Sequence, residues 1–418
     1  MNRAFVHLLL ASVLVTACAR REARDVRNEV APLYSAATPS FKQATGSILQ
    51  GGSYLPGNNI VTLVNGREIF PSMLAAIRGA RQTINFESYV FWNGEIARQF
   101  TDALAERARA GVRVNMILDA QGSGKIGREN LEKLRAAGVH TVKYHPLAFW
   151  DLRRYNNRTH RKLLIVDGEV GFIGGVGIAD EWLGDGDAPK HWRDNHYRVT
   201  GPVVAQVQGA FVDNWLKTEG TVLHGPEYFP PLRSDGPHSA QVFWSSPRLG
   251  NMDVHIMYLL AMASAQRSLL IENAYFVPDA LMRKELIAAA RRGARVEIIV
   301  PGKHIDQKIV RIASRKHWPE LLRAGVHIYE YQPAMDHTKL MIVDGAFVSV
   351  GSANFDLRTI RLNDEANMNV ISPSFAAQQA RLFARDKAQS REITLNEAGG
   401  LQLANPIVHA ASVVAPEL

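Results

Sequence analysis

The chain has 418 residues, 46% of them apolar and 21% charged, a globular composition that excludes disorder and a coiled coil and is long enough for two domains. Lys and Arg number 48 against 40 Asp and Glu, a formal +8 that favours an anionic partner: phospholipid headgroups, nucleic acid or a phosphorylated metabolite. A single cysteine excludes an intramolecular disulfide and a thiolate-clustered zinc site.

The N-terminus carries one charge in Met1-Asn2-Arg3, then Ala4 to Ala17 is almost wholly apolar. That pattern reads as a signal peptide over 1–17. Val15-Thr16-Ala17-Cys18 resembles a bacterial lipobox, in which the cysteine becomes the lipid-modified N-terminus, and a thioether-linked diacylglycerol with an N-acyl chain suffices for anchoring. The alternatives are a short uncleaved anchor, or cleavage elsewhere with Cys18 incidental. Ala19 is not the Asp that resembles an inner-membrane retention signal. The expectation is therefore a lipid-anchored protein on the periplasmic side of a bacterial cell envelope, with the outer membrane favoured. Beyond this segment no run of eighteen apolar residues offers a membrane span. Residues 18–53, polar and broken by Pro and Gly, read as a tether.

From residue 54 the chain repeats itself once. Ala75 to Ala80 leads into Ile84-Asn85-Phe86-Glu87-Ser88-Tyr89, and Ala261 to Ala265 leads into Leu270-Ile271-Glu272-Asn273-Ala274-Tyr275. A helical pattern follows in each copy: Ile96, Phe100 and Leu104 before Gly111, then Pro278-Asp279 as a start signal, Leu286 and Ile287, and a stop at Gly293. Short β-branched runs come next, Val114 to Leu118 and Val296 to Val300. After them stand Leu134-Arg135-Ala136-Ala137-Gly138-Val139-His140 and Leu322-Arg323-Ala324-Gly325-Val326-His327. Strand, helix, strand, helix in both copies predicts an α/β sandwich built twice, with halves at 54–226 and 227–390 and a tail at 391–418.

Each half ends in the same pattern. His160-Arg161-Lys162 runs into Leu163-Leu164-Ile165-Val166-Asp167, with Gly174-Gly175 beyond; His337-Thr338-Lys339 runs into Leu340-Met341-Ile342-Val343-Asp344, with Gly351-Ser352-Ala353-Asn354 beyond. Four fixed positions at about 5% each arise by chance in roughly a few chains per thousand, and far less often twice in matching places. If the apolar run is a strand, His and Lys two apart share a face. Val170 to Ile173 and Phe347 to Val350 would return alongside, and Gly175 or Ser352 lets a bulky anion approach the backbone. Two histidines can divide the labour of phosphoryl chemistry, one attacking as neutral imidazole, the other giving a proton to the leaving alcohol. Lys162, Lys339, Asn354 and Ser352 can hold the developing charge. No carboxylate cluster suits a two-metal phosphodiesterase.

Past the motifs, Glu365-Ala366-Asn367-Met368-Asn369-Val370 matches Asp194-Asn195-His196-Tyr197-Arg198-Val199. Glu365 lies 28 residues after His337 and Asp194 lies 34 after His160, the extra six fitting the insert around Gly184 to Pro189. A carboxylate on an adjacent strand can accept the Nδ1 proton of its histidine and turn Nε2 toward phosphorus; this orienting role is the expectation for Glu365 and Asp194, and a surface strand residue the alternative. His145, His191 and His196 lie close enough in sequence to be candidates for headgroup contact. The insert from Phe149 to Arg158 suits either a bilayer interface or a solvated loop.

The paired motifs resemble the phospholipase D superfamily, over roughly residues 54 to 390. Asn85-Phe86-Glu87-Ser88-Tyr89, His191-Trp192-Arg193-Asp194, the run Gly174 to Trp182 and Phe355-Asp356-Leu357-Arg358 look most like bacterial cardiolipin synthases without transmembrane helices. The resemblance implies two pseudo-symmetric halves sharing one active site at their interface, a phosphohistidine intermediate, and no metal or other cofactor. Carried over, His160 is the nucleophile, His337 the general acid and base, and Lys162 and Lys339 hold the phosphate, while Asp167 and Asp344 support the motif structurally. One position departs: Gly177 stands where the second copy has Asn354. The implied function is a membrane-tethered phosphatidyltransferase acting on phosphatidylglycerol or a similar lipid. The rivals are a hydrolytic phospholipase D, a nuclease of the superfamily, and a lipoprotein that only binds anionic lipid. Nucleic acid is not the expected partner, since stacking aromatics are not interleaved with the basic residues.

Overall fold

A computed structural model describes residues 34–146 and 156–398. The signal segment with Cys18, the insert from Phe149 to Tyr155 and residues 399–418 lie outside the described residues.

In the first half the chain runs through helix α1 (Pro39–Ile48), strand β1 (Leu55–Val64), α2 (Asn65–Gly79), β2 (Thr83–Ser88), α3 (Glu95–Arg109), β3 (Arg113–Asp119), α4 (Arg128–Ala136), β4 (His140–Tyr144), β5 (Leu163–Val166), β6 (Val170–Gly174), β7 (Asn195–Thr200) and α5 (Val204–Glu219). The second half repeats the order with β8 (His238–Ser245), α6 (Asp253–Ser264), β9 (Ser268–Asn273), β10 (Phe276–Val277), α7 (Ala280–Arg291), β11 (Arg295–Pro301), α8 (Lys308–Arg315), α9 (Trp318–Arg323), β12 (His327–Tyr331), β13 (Lys339–Val343), β14 (Phe347–Gly351), β15 (Phe355–Asp356), α10 (Leu357–Arg361), β16 (Glu365–Ile371), α11 (Pro373–Ala388) and β17 (Ser390–Glu392).

Fifteen strands form one sheet in the order β17-β12-β11-β9-β13-β14-β16-β8-β1-β7-β6-β5-β2-β3-β4. The order reads the same from either end, apart from β17, about the antiparallel seam of β1 with β8, where Leu55 faces Ala240 and Asn58 faces His238. The two halves are thus joined through backbone hydrogen bonds. β10 and β15 make a separate two-stranded parallel piece.

Both faces of the sheet are covered, which is why β5 is apolar throughout and why the polar residues that alternate along β2 and β16 are buried as well. Leu163 and Ile165 point into one layer, shared by both halves and closed by Val207, Phe211 and Trp215 of α5 and Phe375 and Phe383 of α11. Their neighbours Leu164 and Val166 point into the opposite layer, against Ile69, Phe70 and Phe100 of α2 and α3. In the second half Met341 and Val343 face Met257, Met262 and Leu286 of α6 and α7 in the same way. The helix signals read from sequence hold: Asp279 caps α7 by accepting from the Met282 amide at 2.8 Å, and Gly111 and Gly293, just past α3 and α7, take φ of 92° and 93°.

Two boundaries differ from expectation. Part of the segment read as a tether belongs to the body: Thr38 caps α1, Pro39 opens it, and Phe41 is fully buried, edge-on to Phe347 at 5.0 Å. Ala36, Phe41 and Leu49 together supply enough apolar surface to dock the helix on the second half's core, a Thr-Pro start signal that the polar composition hides. At the other end β17 adds an antiparallel edge strand to β12, and Ile393 and Ala398 are buried behind it, so the body extends past residue 390. Phe41→Ala should cost about 3 kcal/mol of stability, measured as a lowered midpoint in denaturant unfolding.

Candidate active site

His160 and Lys162 stand just ahead of β5, and His337 and Lys339 at the start of β13, with the motif aspartates at the far ends of those strands. Asp167 and Asp344 both adopt φ of 53°. Asp167 accepts from the amides of Arg81, Gln82 and Thr83 at 2.9, 2.7 and 2.9 Å. Asp344 does the same for Gln266, Arg267 and Ser268 at 3.1, 2.7 and 2.9 Å. Each thereby pins the entry of the neighbouring strand, β2 or β9. Neither lines the pocket, so they are structural members of the motif.

The histidines meet across the seam. The His160 amide donates to the Asp364 carbonyl at 2.8 Å, and the Asp364 amide to the Arg158 carbonyl at 2.9 Å. The His337 amide donates to the Arg193 carbonyl at 2.7 Å, and the Arg193 amide to the Met335 carbonyl at 2.8 Å. These short parallel bridges, Thr159 with Asp364 and Arg193 with Asp336, set each histidine beside the acid of the opposite half. His160 Nδ1 lies 3.0 Å from both oxygens of Glu365, and His337 Nδ1 lies 2.8 Å from Asp194 Oδ2. Both acids take the orienting position, but the pairing is crossed: residue spacing within a copy associates Asp194 with His160 and Glu365 with His337, and the docking of the halves exchanges them.

The three expected phosphate contacts divide. Asn354 lines the pocket. Ser352 instead donates from Oγ to Glu365 at 2.6 Å, joined on that carboxylate by Thr359 Oγ1 at 3.1 Å. Gly175, at the matching place, lies against the other acid; a Cβ there would stand 2.6 Å from Asp194 Oδ1. Asp194 takes its side-chain donor from Trp182 Nε1 at 3.0 Å, so an indole does in the first half what a hydroxyl does in the second. The lack of an amide at Gly177 has a related cause, since a Cβ there would meet Val90 Cβ at 2.7 Å and the Trp182 ring at 3.3 Å.

One pocket is lined by both histidines, Lys162 and Asn354, with walls of Tyr89, Trp92, Trp182, Trp192 and Tyr275. Tyr89 stands edge-on to His160 at 5.2 Å; Trp182, Trp192 and Tyr275 surround His337 at 5.2, 5.4 and 6.2 Å. Sequence reasoning did not single out these aromatics as site residues. The available signal was the tyrosine that closes the same strand segment in both copies. His145, His191 and His196 do not line the pocket: His145 lies against Tyr144 at 4.0 Å, His191 packs against Gly184, and His196 is buried in β7. Among the described residues no group of three or more His, Cys, Asp or Glu side chains is gathered to hold a metal ion, and no helix is long and apolar enough to cross a membrane.

The family described as "Cardiolipin synthase, PLD-like domain" matches residues 73–184 and again 258–387. The chain belongs to this family. It is 39% identical over 308 residues to a cardiolipin synthase of Geobacillus kaustophilus, covering 73% of this chain and 61% of that one. It is 34% identical over 339 residues to the probable cardiolipin synthase YwiE of Bacillus subtilis, covering 81% and 67%. The chain thus spans about two thirds or less of the length of these relatives. Its fold is that of phosphatidylserine synthase from Haemophilus influenzae, with a TM-score of 0.68 at 13% identity over 91% of this chain and 99% of the other.

The cardiolipin synthase-like pocket is electrically unusual. Burial pushes the His160 imidazolium down to about 4, with Glu365 opposing and Lys162 adding to the shift; burial and Lys339 push His337 down to about 3 against the pull of Asp194. Burial also lowers Lys162 to about 7 and Lys339 to about 8. For Asp194 and Glu365 burial acts upward, but hydrogen bonds from the histidines and the field of the lysines hold both below the usual carboxylate range. Near neutrality the resting site therefore holds neutral imidazoles whose Nδ1–H points at a carboxylate, leaving Nε2 as a lone pair that in His337 lies 3.3 Å from Lys339 Nζ. An NMR titration of the ring nitrogens should find both histidines neutral at pH 5.5, and Glu365→Gln, which removes the opposing charge, should lower the His160 value further.

Proposed function

We propose that this chain is a phosphatidyltransferase of the cardiolipin-synthase type, joining two phosphatidylglycerol molecules through a phosphohistidine. The observation that carries the reading is the crossed arrangement of two neutral imidazoles, each oriented by a carboxylate of the other half and both facing one pocket beside paired lysines. Such a site supplies a nucleophile and a separate proton carrier for the same phosphorus.

In the first step His160 Nε2 attacks the phosphorus of phosphatidylglycerol and the bond to the headgroup oxygen breaks. The phosphodiester anion beside His337, together with Asp194, favours its imidazolium form, which gives its proton to the departing glycerol. Lys162 and Lys339 offset the charge on the equatorial oxygens. Nε2-phosphorylation makes the His160 ring cationic while Nδ1 keeps its proton, and Glu365 is placed to stabilise that cation. In the second step the hydroxyl of another phosphatidylglycerol attacks, His337 takes its proton, and the N–P bond breaks to release cardiolipin. Placing His160 in the attacking role follows the family pattern of the first motif.

Purified protein given phosphatidylglycerol vesicles should form cardiolipin and glycerol. Phosphatidic acid as the product would sink the transferase in favour of a hydrolase, and inertness with cleavage of single-stranded DNA would favour a nuclease. His160→Ala and His337→Ala should each lower turnover about 10⁴-fold or more, and Glu365→Gln, which removes the acceptor that sets the tautomer, by up to about 10⁴-fold. Because kcat/KM reports the free protein, its acid limb should lie below pH 5, where His160 with its value of about 4 becomes protonated. Its alkaline limb should fall near pH 7 to 8, where Lys162 and Lys339 lose their protons. Lys162→Arg should move that alkaline limb upward.

We further propose that the mature chain is held at the bacterial envelope by a lipid on Cys18, supported by the Val15-Thr16-Ala17-Cys18 sequence after an apolar stretch. Cys18→Ser should shift the protein from the membrane fraction to the soluble fraction; retention in the membrane fraction would remove the anchor from the account.

A further inference from the structure

The two ends of the pocket differ. Between β11 and β12 the second half carries an additional helix, α8, which has no counterpart between β3 and β4. This element brings Asp306, Gln307 and Val310 into the pocket wall. Both carboxylate oxygens of Asp306 accept from the Tyr275 hydroxyl, at 2.7 and 2.8 Å, and Oδ1 also accepts from the Gln307 amide at 2.8 Å. Tyr275 in turn stands edge-on to His337. A carboxylate is thus fixed on the His337 side of a pocket that holds one other acid, Asp356, whose side chain accepts from the Thr359 amide at 2.8 Å as the cap of α10.

That placement needs a reason, because a carboxylate near a phosphodiester repels it. The repulsion is useful only if Asp306 meets a donor carried by the headgroup, and the oxygens retain lone pairs to accept one. In the transferase reading His337 handles the headgroup oxygen in both steps, first as it leaves and then as it attacks. In a glycerol headgroup the carbon next to the reacting oxygen bears a hydroxyl in both cases. Seen from His337, that hydroxyl occupies the same relative position on the departing glycerol and on the incoming lipid.

We propose that Asp306, held by Tyr275, reads the headgroup by accepting a hydrogen bond from the hydroxyl vicinal to the reacting oxygen, and so selects glycerol-type alcohols in both half-reactions. The inference rests on the transferase reading and deepens it: one subsite serves donor and acceptor lipid alike. Gln307, next along the same wall, has a carboxamide free of charge and suits the more distant headgroup oxygen.

The test is a competition that reads a ratio rather than a rate. Phosphatidylglycerol vesicles are offered an equimolar mixture of deuterated glycerol and 1-propanol, which shares the carbon chain but lacks the vicinal hydroxyl. Labelled phosphatidylglycerol and phosphatidylpropanol are then quantified. The unaltered protein should favour glycerol, and Asp306→Ala should shift the ratio toward propanol by about tenfold, the worth of one hydrogen bond to a charged acceptor. Asp306→Asn, which keeps an acceptor oxygen, should retain most of the preference. Asp306 is exposed, so these variants fold normally. An unchanged ratio in Asp306→Ala overturns the proposal while leaving the transferase standing. Absence of any exchange product from the unaltered protein overturns both, and is recognised by its occurring without a mutation.

Discussion

A hydrogen bond from an imidazole in one half to a carboxylate in the other is the constraint on which the rest of this molecule depends. Neither half contains a complete pair, so the site exists only when the halves dock. The docking is built to be unique. β1 and β8 make the sheet continuous across the seam, and two short bridges bring the segment before each histidine against the strand that carries the opposite acid. Buried arginines reinforce both contacts. Arg161, between the first motif's His and Lys, reaches across to the Glu365 carbonyl and to Ser246 Oγ, both at 3.3 Å. Arg193, just before Asp194, holds Asp386 of α11 at 2.7 Å. A buried guanidinium with its partners removed is costly, so these residues penalise any register in which the acids and histidines do not meet.

The repeat made the architecture readable. Short β-branched runs, glycine stops and a duplicated His-x-Lys pattern are local signals, and they located strands, helices and the four central side chains. What stayed hidden depends on how the halves meet. Crossing of the acids cannot be deduced from spacing, because Asp194 and His160 are separated by the same kind of interval as Glu365 and His337. Ser352 and Gly175 sit where an anion-facing residue is plausible, yet each proves to be tuned to a carboxylate: a hydroxyl for Glu365, and a missing Cβ for Asp194, whose donor comes from Trp182 instead. Helix α1 was missed because one buried phenylalanine, not an amphipathic stripe, holds most of it down.

The same geometry explains how ionisable groups are kept buried beside one pocket. Lys162 and Lys339 oppose Asp194 and Glu365, so with neutral imidazoles the cluster carries no net charge. Each lysine also donates to the backbone carbonyl of its own histidine at 2.6 Å, and Lys339 Nζ lies 3.3 Å from His337 Nε2. The balance is uneven in its cost: the carboxylates are stabilised by several donors, whereas burial lowers the lysines, Lys162 to about 7 and Lys339 to about 8. On the proposed reading, an entering phosphodiester would raise the proton affinity of the lysines and of His337 together. In the proposed mechanism the nucleophile is ready before binding, and it is the proton donor at His337 that forms only around a phosphate. A neutral ester would leave His337 without its proton, so on the proposed reading the charges around the pocket favour a phosphodiester before any headgroup is read.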